Sequence, residues 1–247
     1  MHDRVGKSYS ILHLNKFLYV VNRSEESVSI TLEDVKQNPV VDACIRKGNE
    51  YLGVMGFTEH SYRHINLVSS IARNILEKLG RPQRECELAA IAGYLHDIGN
   101  VISRNDHGIS GANIAFTLLL NMGMPPEEVC TVASAIANHE EQYGYPVNSV
   151  AAALIVADKS DVHRSRVRNQ DFATFDIHDR VNYAASHAFV YVNDDRRTIT
   201  MELSIDIEIC PVMEYFEIFL TRMMLCRRAA NYLGCNFELV INGAKLL

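Results

Sequence analysis

The sequence predicts a mostly α-helical protein: a helical core followed by a small α+β appendage. Two observations carry this. From residue 57 onward apolar residues recur at helical spacing in successive segments, each closed by glycine or proline. Past residue 188 the pattern changes to β-branched runs around an acidic-basic turn, then one long apolar helix and a last short strand. These shifts divide the chain into an extension over 1–30, a helical domain over 31–187 and a small subdomain over 188–247.

Within the extension, "YSILHL", "FLYVV" and "SVSITL" alternate in patches and read as a β-hairpin or a loosely attached arm. "TLEDVKQNPVVDACIRKGNEYLGVMG" reads as one or two helices, with Thr31 as cap and Pro39 opening the second. In "FTEHSYRHINLVSSIARNILEKLG" Val68, Ile71, Ala72, Ile75, Leu76 and Leu79 form an apolar stripe. Thr58 is the expected cap there, and Gly80 and Pro82 the stop. "RECELAAIAGYLHDIG", "HGISGANIAFTLLLNMG" and "PPEEVCTVASAIANHEE" supply three more helices, the last opened by Pro125 and Pro126 with acidic residues in its first turn. After the "QYGYP" loop comes "VNSVAAALIVADKSDVH". "AFVYVN" and "TITMELSIDI" then form a hairpin around "DDRR". "PVMEYFEIFLTRMMLCRRAANYLG" is a helix ended by Gly234, and "NFELVI" a final strand.

The composition narrows the function. With 48% hydrophobic and 22% charged residues, the 247-residue chain can bury a real core. A net charge of -6 argues against broad nucleic-acid binding, which needs a basic face. No apolar stretch of the N-terminal part is long enough to span a bilayer. Six cysteines lie scattered without a CxxC pair, as in a reduced, cytoplasmic protein.

The histidines and aspartates fall in a pattern. His64 is one helical turn before Val68 and so lies on the apolar side, with His60 a further turn back. His139 follows Ile136 and Val132 on their inward face, and Asp158 follows Leu154, with Asp161 three residues beyond. "LHDIG" ends an apolar helix in His96-Asp97. One inward histidine is ordinary core, and one Asp at a helix end is ordinarily a cap. His64, His96, Asp97, His107, His139 and Asp158 come from five successive segments, and a buried carboxylate is costly without a cation. Metal binding satisfies all of them, and imidazole with carboxylate suits Fe, Mn, Zn or Ni better than Ca or Mg.

The order His64, His96-Asp97, Asp158 over residues 57–163 resembles the HD superfamily of metal-dependent phosphohydrolases. That resemblance implies an all-helical bundle and two divalent transition metal ions, with iron or manganese favoured. The resemblance makes Asp97 the catalytic residue, able to bind or to bridge the metals, and His107 and His139 are similar to the positions that supply the second ion. "GYP" at 144–146 is similar to the cyclic-dinucleotide branch, HD-GYP. Asn138 stands where that branch has a second histidine, and Asn100 where it has a lysine.

A phosphorylated substrate needs cations. "DKSDVHRSRVRN" offers Lys159, Arg164, Arg166 and Arg168 just past Asp158, and Arg63 and Arg104 are further candidates. A solvated basic face is the competing reading. The expected activity is phosphoester hydrolysis, on a nucleotide or another small phosphorylated metabolite. The alternative is a signalling module that binds a nucleotide or protein with little turnover. The C-terminal hairpin and helix could serve a homodimer.

Overall fold

A computed structural model describes residues 29–246, so the expected N-terminal hairpin lies outside the described residues. Helix α1 (Leu32–Lys36) opens with a reciprocal cap, in which Thr31 Oγ1 accepts from the Asp34 amide and Asp34 Oδ2 from the Thr31 amide. Helix α2 (Pro39–Val54) follows, capped by the Asn38 side chain with proline at its first position.

Helix α3 (Tyr62–Lys78) starts later than expected. Thr58 does not cap it, because residues 57–60 form a loop tied elsewhere: the Glu59 amide donates to the Arg166 carbonyl at 2.8 Å. A tertiary hydrogen bond thus overrides a local capping signal. Gly80, at φ 68°, ends the helix in the left-handed region that favours glycine.

Helix α4 (Gln83–Leu95) leads into a short 3-10 turn (Ile98–Val101), then helices α5 (His107–Asn121), α6 (Pro126–Ala137) and α7 (Ser149–Lys159). Helix α7 is buried from Val150 to Lys159 and packs against α3, α4 and α6. Its alanines at 151–153 and 157 let those helices approach, and a helix apolar on all sides belongs at a core's centre.

Helix α8 (Ile177–Ala184) runs directly into strand β1 (Ala185–Asn193), which pairs antiparallel with β2 (Thr198–Ile205). Helix α9 (Val212–Tyr232) crosses over to β3 (Asn236–Ile241), which pairs parallel with β2, and a two-residue β4 (Ala244–Lys245) closes the sheet. The protein is therefore mostly helical with a small α+β appendage, as expected. The parallel pairing and β4 are additions to the expected hairpin, helix and strand. The appendage is not remote from the bundle: α9 packs along α7, and β1 touches α3.

Gly99 lies in the 3-10 turn that follows His96-Asp97, and its φ is not positive. What requires glycine is space: a Cβ there would overlap the carbonyl oxygen of His107. Gly99→Ala is expected to push α5 away from α4, cost roughly 1–3 kcal/mol or more, and displace His107. A thermal melt with metal analysis checks this, and an unchanged Tm would contradict it.

Candidate metal centre

The elements that meet around α7 bring six side chains together. His64 comes from the first turn of α3, His96 from the C-cap of α4, and Asp97 from the residue after it. His107 opens α5, His139 follows α6, and Asp158 closes α7. All six are buried or nearly so. All six sequence-predicted ligands are thus in one place.

Their reactive atoms converge. His64 Nε2 and His96 Nε2 lie 3.1 Å apart, and both stand 3.4–3.5 Å from Asp97 Oδ2 and 3.5 Å from Asp158 Oδ1. On the other side of Asp97, Oδ1 is 3.3 Å from His107 Nε2, which is 3.1 Å from His139 Nε2. Donors bound to one ion at about 2.0–2.2 Å stand roughly 3–3.5 Å from one another. The triads His64, His96, Asp158 and His96, Asp97, His139 each have the proximity an ion needs, and Asp97 faces both sides.

The histidines are oriented for this. His96 Nδ1 meets the Gly93 carbonyl at 2.8 Å, His107 Nδ1 that of Arg104 at 3.0 Å, and His139 Nδ1 that of Ile136 at 2.6 Å. His64 Nδ1 meets Asp161 Oδ2 at 2.7 Å. A carbonyl only accepts, so Nδ1 carries the proton and Nε2 presents a lone pair to the centre, the usual support of a metal-binding imidazole.

The electrostatics call for a cation. Asp97 Oδ2 is buried without a hydrogen-bond partner among the described residues, a costly state unless an ion satisfies it. Burial would raise the Asp97 and Asp158 carboxyls, but His96 beside the first and Lys159 beside the second hold both well below the usual range. Burial lowers His96, yet Asp97 and Asp158 outweigh it and push that imidazole up to about 10. His139, buried and repelled by His107 and His96, falls to about 3. Protons stand in for missing positive charge on one histidine and cannot reach its neighbour. A divalent ion fits this donor set.

The predicted cations divide. Lys159 is buried, 2.5 Å from Asp158 Oδ2 and 3.3 Å from Glu141. Arg63 holds Asp161 with both terminal nitrogens, at 3.2 and 2.8 Å. Arg166 is buried and committed to the carbonyls of Asp161 and Glu59 and to His60 Nε2. Arg104 lies over the Phe57 ring and opens onto the pocket. Arg164 stacks over Tyr183 and Arg168 bonds Asn49, and neither lines the pocket.

Several residues at the site were not predicted to belong to it. Asp161 holds His64, and Glu140 lies 3.3 Å from His107 Nδ1. Glu141 and Arg222 line the pocket. His60, expected to reach the site from one turn before His64, lines it too, but from the loop before α3 rather than from the helix. The acidic pair in "NHEE" and the second Asp in "DKSD" were available signals. Arg222 had none. The small pocket around these side chains shares His60, Arg104, Arg166 and Arg222 with a cleft of about 270 Å³, which Phe57, Asp179, Asn182 and Phe219 also line.

A helical bundle that aims imidazoles and carboxylates at one buried point defines a class of protein able to hold divalent metal in its core. Residues 59–163 match the family model of the HD domain. The match does not extend to the HD-GYP branch: Asn138, at the place of that branch's extra histidine, turns its amide to the Ser134 carbonyl. No curated protein matches the chain. The α8–β4 region lies beyond the matched residues.

Proposed function

We propose that this protein is a metal-dependent phosphohydrolase that cleaves a phosphoester of a nucleotide or other small phosphorylated metabolite. The carrying observation is the Asp97 carboxylate, whose two oxygens face different histidines in a small pocket that shares His60, Arg104, Arg166 and Arg222 with a cleft of about 270 Å³. In this reading His64, His96, Asp97 and Asp158 would hold one ion, and His107 and His139, with Asp97, would hold a second. Iron or manganese is favoured. A divalent ion supplies Lewis acidity, acidifying a water and polarising a phosphoryl oxygen.

The chain's own residues do the rest. Asp97 orients the reacting end of the site, held by the Asn100 amide, which donates to its Oδ1 at 3.0 Å. Arg104 faces the cleft and offers N–H donors to a phosphate. Arg63, Lys159 and Arg166 neutralise the carboxylates, so their contribution to substrate is indirect. Phe57 and Phe219 give the cleft apolar walls, suited to the organic part of an ester. No helix among the described residues is long and apolar enough to cross a membrane.

The test is elemental analysis of anaerobically purified protein, then a phosphoester screen with that metal restored. Stoichiometric transition metal and turnover of at least one ester are expected. Metal with ligand binding but no turnover would favour the signalling reading, and absence of metal would overturn both. A calorimetric titration adds a sign. In the metal-free protein His96 carries a second proton, on Nε2, at pH 7.5, because its pKa is raised to about 10, and that proton must leave when Nε2 takes an ion. Titrations in two buffers of different ionisation enthalpy are expected to show at least about one proton released per chain. Affinity should therefore rise with pH across the neutral range. A titration without proton release would mean that His96 Nε2 is unprotonated in the metal-free protein.

A further inference from the structure

Resting on the phosphohydrolase reading, we propose that Arg222, carried by α9 outside the family-matched segment, binds the substrate's phosphate together with Arg104. The expected cations near the site are mostly engaged. Arg166 has its donors on Asp161, Glu59 and His60, and Lys159 sits between Asp158 and Glu141.

Arg222 differs from both. Its guanidinium lies 4.4 Å over the Phe219 ring, one turn earlier on α9, and Nε is 2.6 Å from Glu141 Oε1. The ring and the charge of Glu141, whose Oε1 has no hydrogen-bond partner among the described residues, hold the guanidinium at this place. The two terminal nitrogens make no hydrogen bond among the described residues, yet Arg222 lines both the metal pocket and the outer cleft. Arg104 lines the same two cavities, with one terminal nitrogen in long 3.4 Å contacts to Asn100 Oδ1 and His107 Nε2. Two guanidiniums lining the pocket that also holds Asp97, His107 and His139 suit a tetrahedral dianion, since each can offer N–H donors to phosphate oxygens. The appendage is then part of the binding site.

The experiment measures inorganic phosphate binding to the metal-loaded protein by calorimetry, in wild type, Arg222→Gln and Arg222→Lys. Metal content is measured on the same samples, and KM and kcat on whichever ester turns over. Arg222→Gln is expected to weaken phosphate roughly 10- to 100-fold, the span of a hydrogen bond to a charged group, and to raise KM more than it lowers kcat. Metal content should stay at the wild-type level. Arg222→Lys keeps the charge but not the fork and should recover only part of the loss. It also guards against misfolding of the glutamine variant. Phosphate affinity within twofold of wild type in Arg222→Gln would overturn the proposal, as would a wild type that binds no phosphate. If the wild type hydrolyses no phosphoester but Arg222→Gln still loses phosphate affinity, the hydrolase reading falls and the phosphate site stands.

Discussion

Asp97→Ala is expected to leave the protein folded, strip most of its bound metal and reduce kcat/KM by about 10³-fold or more. The cause is the double duty of one carboxylate. Oδ2 faces His64 and His96, and Oδ1 faces His107, so removing the side chain opens both halves of the centre at once. Asp158 offers no substitute on the second side, because its Oδ1 faces His64 and His96, and its Oδ2 is taken by Lys159. Lewis-acid stabilisation contributes several kcal/mol to a hydrolytic transition state, and each ~1.4 kcal/mol is a factor of ten. The fold should survive, since the substitution removes a buried carboxylate whose Oδ2 has no hydrogen-bond partner among the described residues. Circular dichroism, metal analysis and kinetics on one preparation check all three parts. Full metal occupancy with wild-type turnover would remove Asp97 from the centre.

The parts of this molecule that local rules govern were legible in the sequence. Thr31, Asn38 with Pro39, Gly80 and Gly123 punctuate the helices where capping chemistry places them. The six proposed ligands were legible because each ends or opens an apolar helix, where a histidine or aspartate has no reason to face inward alone. What escaped was decided by contacts distant along the chain. Thr58 lost its capping role to a bond between Glu59 and Arg166. The basic run after Asp158 looked like a phosphate cradle, but its members alternate in fate. Arg166 turns in towards Asp161, while Arg164 and Arg168 turn out to Tyr183 and Asn49. Residues two apart in an irregular segment point in unrelated directions, so charge spacing carried little information there. Arg222 reaches the site only because α9 crosses from β2 to β3 over α7, and a crossover is not written in any short stretch of residues.

Asp161→Ala is expected to be the most destabilising change near the site and to weaken metal binding without removing a proposed ligand. Asp161 is buried against three partners: His64 Nδ1 at 2.7 Å, the Arg63 fork at 2.8 and 3.2 Å, and Arg166 Nε at 3.7 Å. Burial opposes its ionisation, but His64, Arg166 and Arg63 outweigh that and hold the carboxyl far below the usual range. Alanine leaves the buried Arg166 without its carboxylate and His64 without the acceptor that fixes its tautomer. Breaking one partner of a buried ion pair costs about 3–5 kcal/mol. Loss of the group that orients a metal-binding histidine costs about 10- to 100-fold in metal affinity. The pH dependence has a definite sign. A depressed carboxyl stabilises fully above its unfolded value, near 3.9, and that stabilisation is lost as pH falls towards the folded value. Wild type should therefore lose stability steeply below about pH 4, and Asp161→Ala should show a flatter acid limb as well as a lower plateau. Denaturant melts of the metal-free proteins from pH 3 to pH 7, with metal titrations at neutral pH, measure both effects. A variant as stable as wild type at pH 7 would mean that Arg63 and Arg166 are satisfied elsewhere. Unchanged metal affinity would mean that His64 keeps its orientation without Asp161, and the hydrogen bond between them would lose its assigned part in the centre.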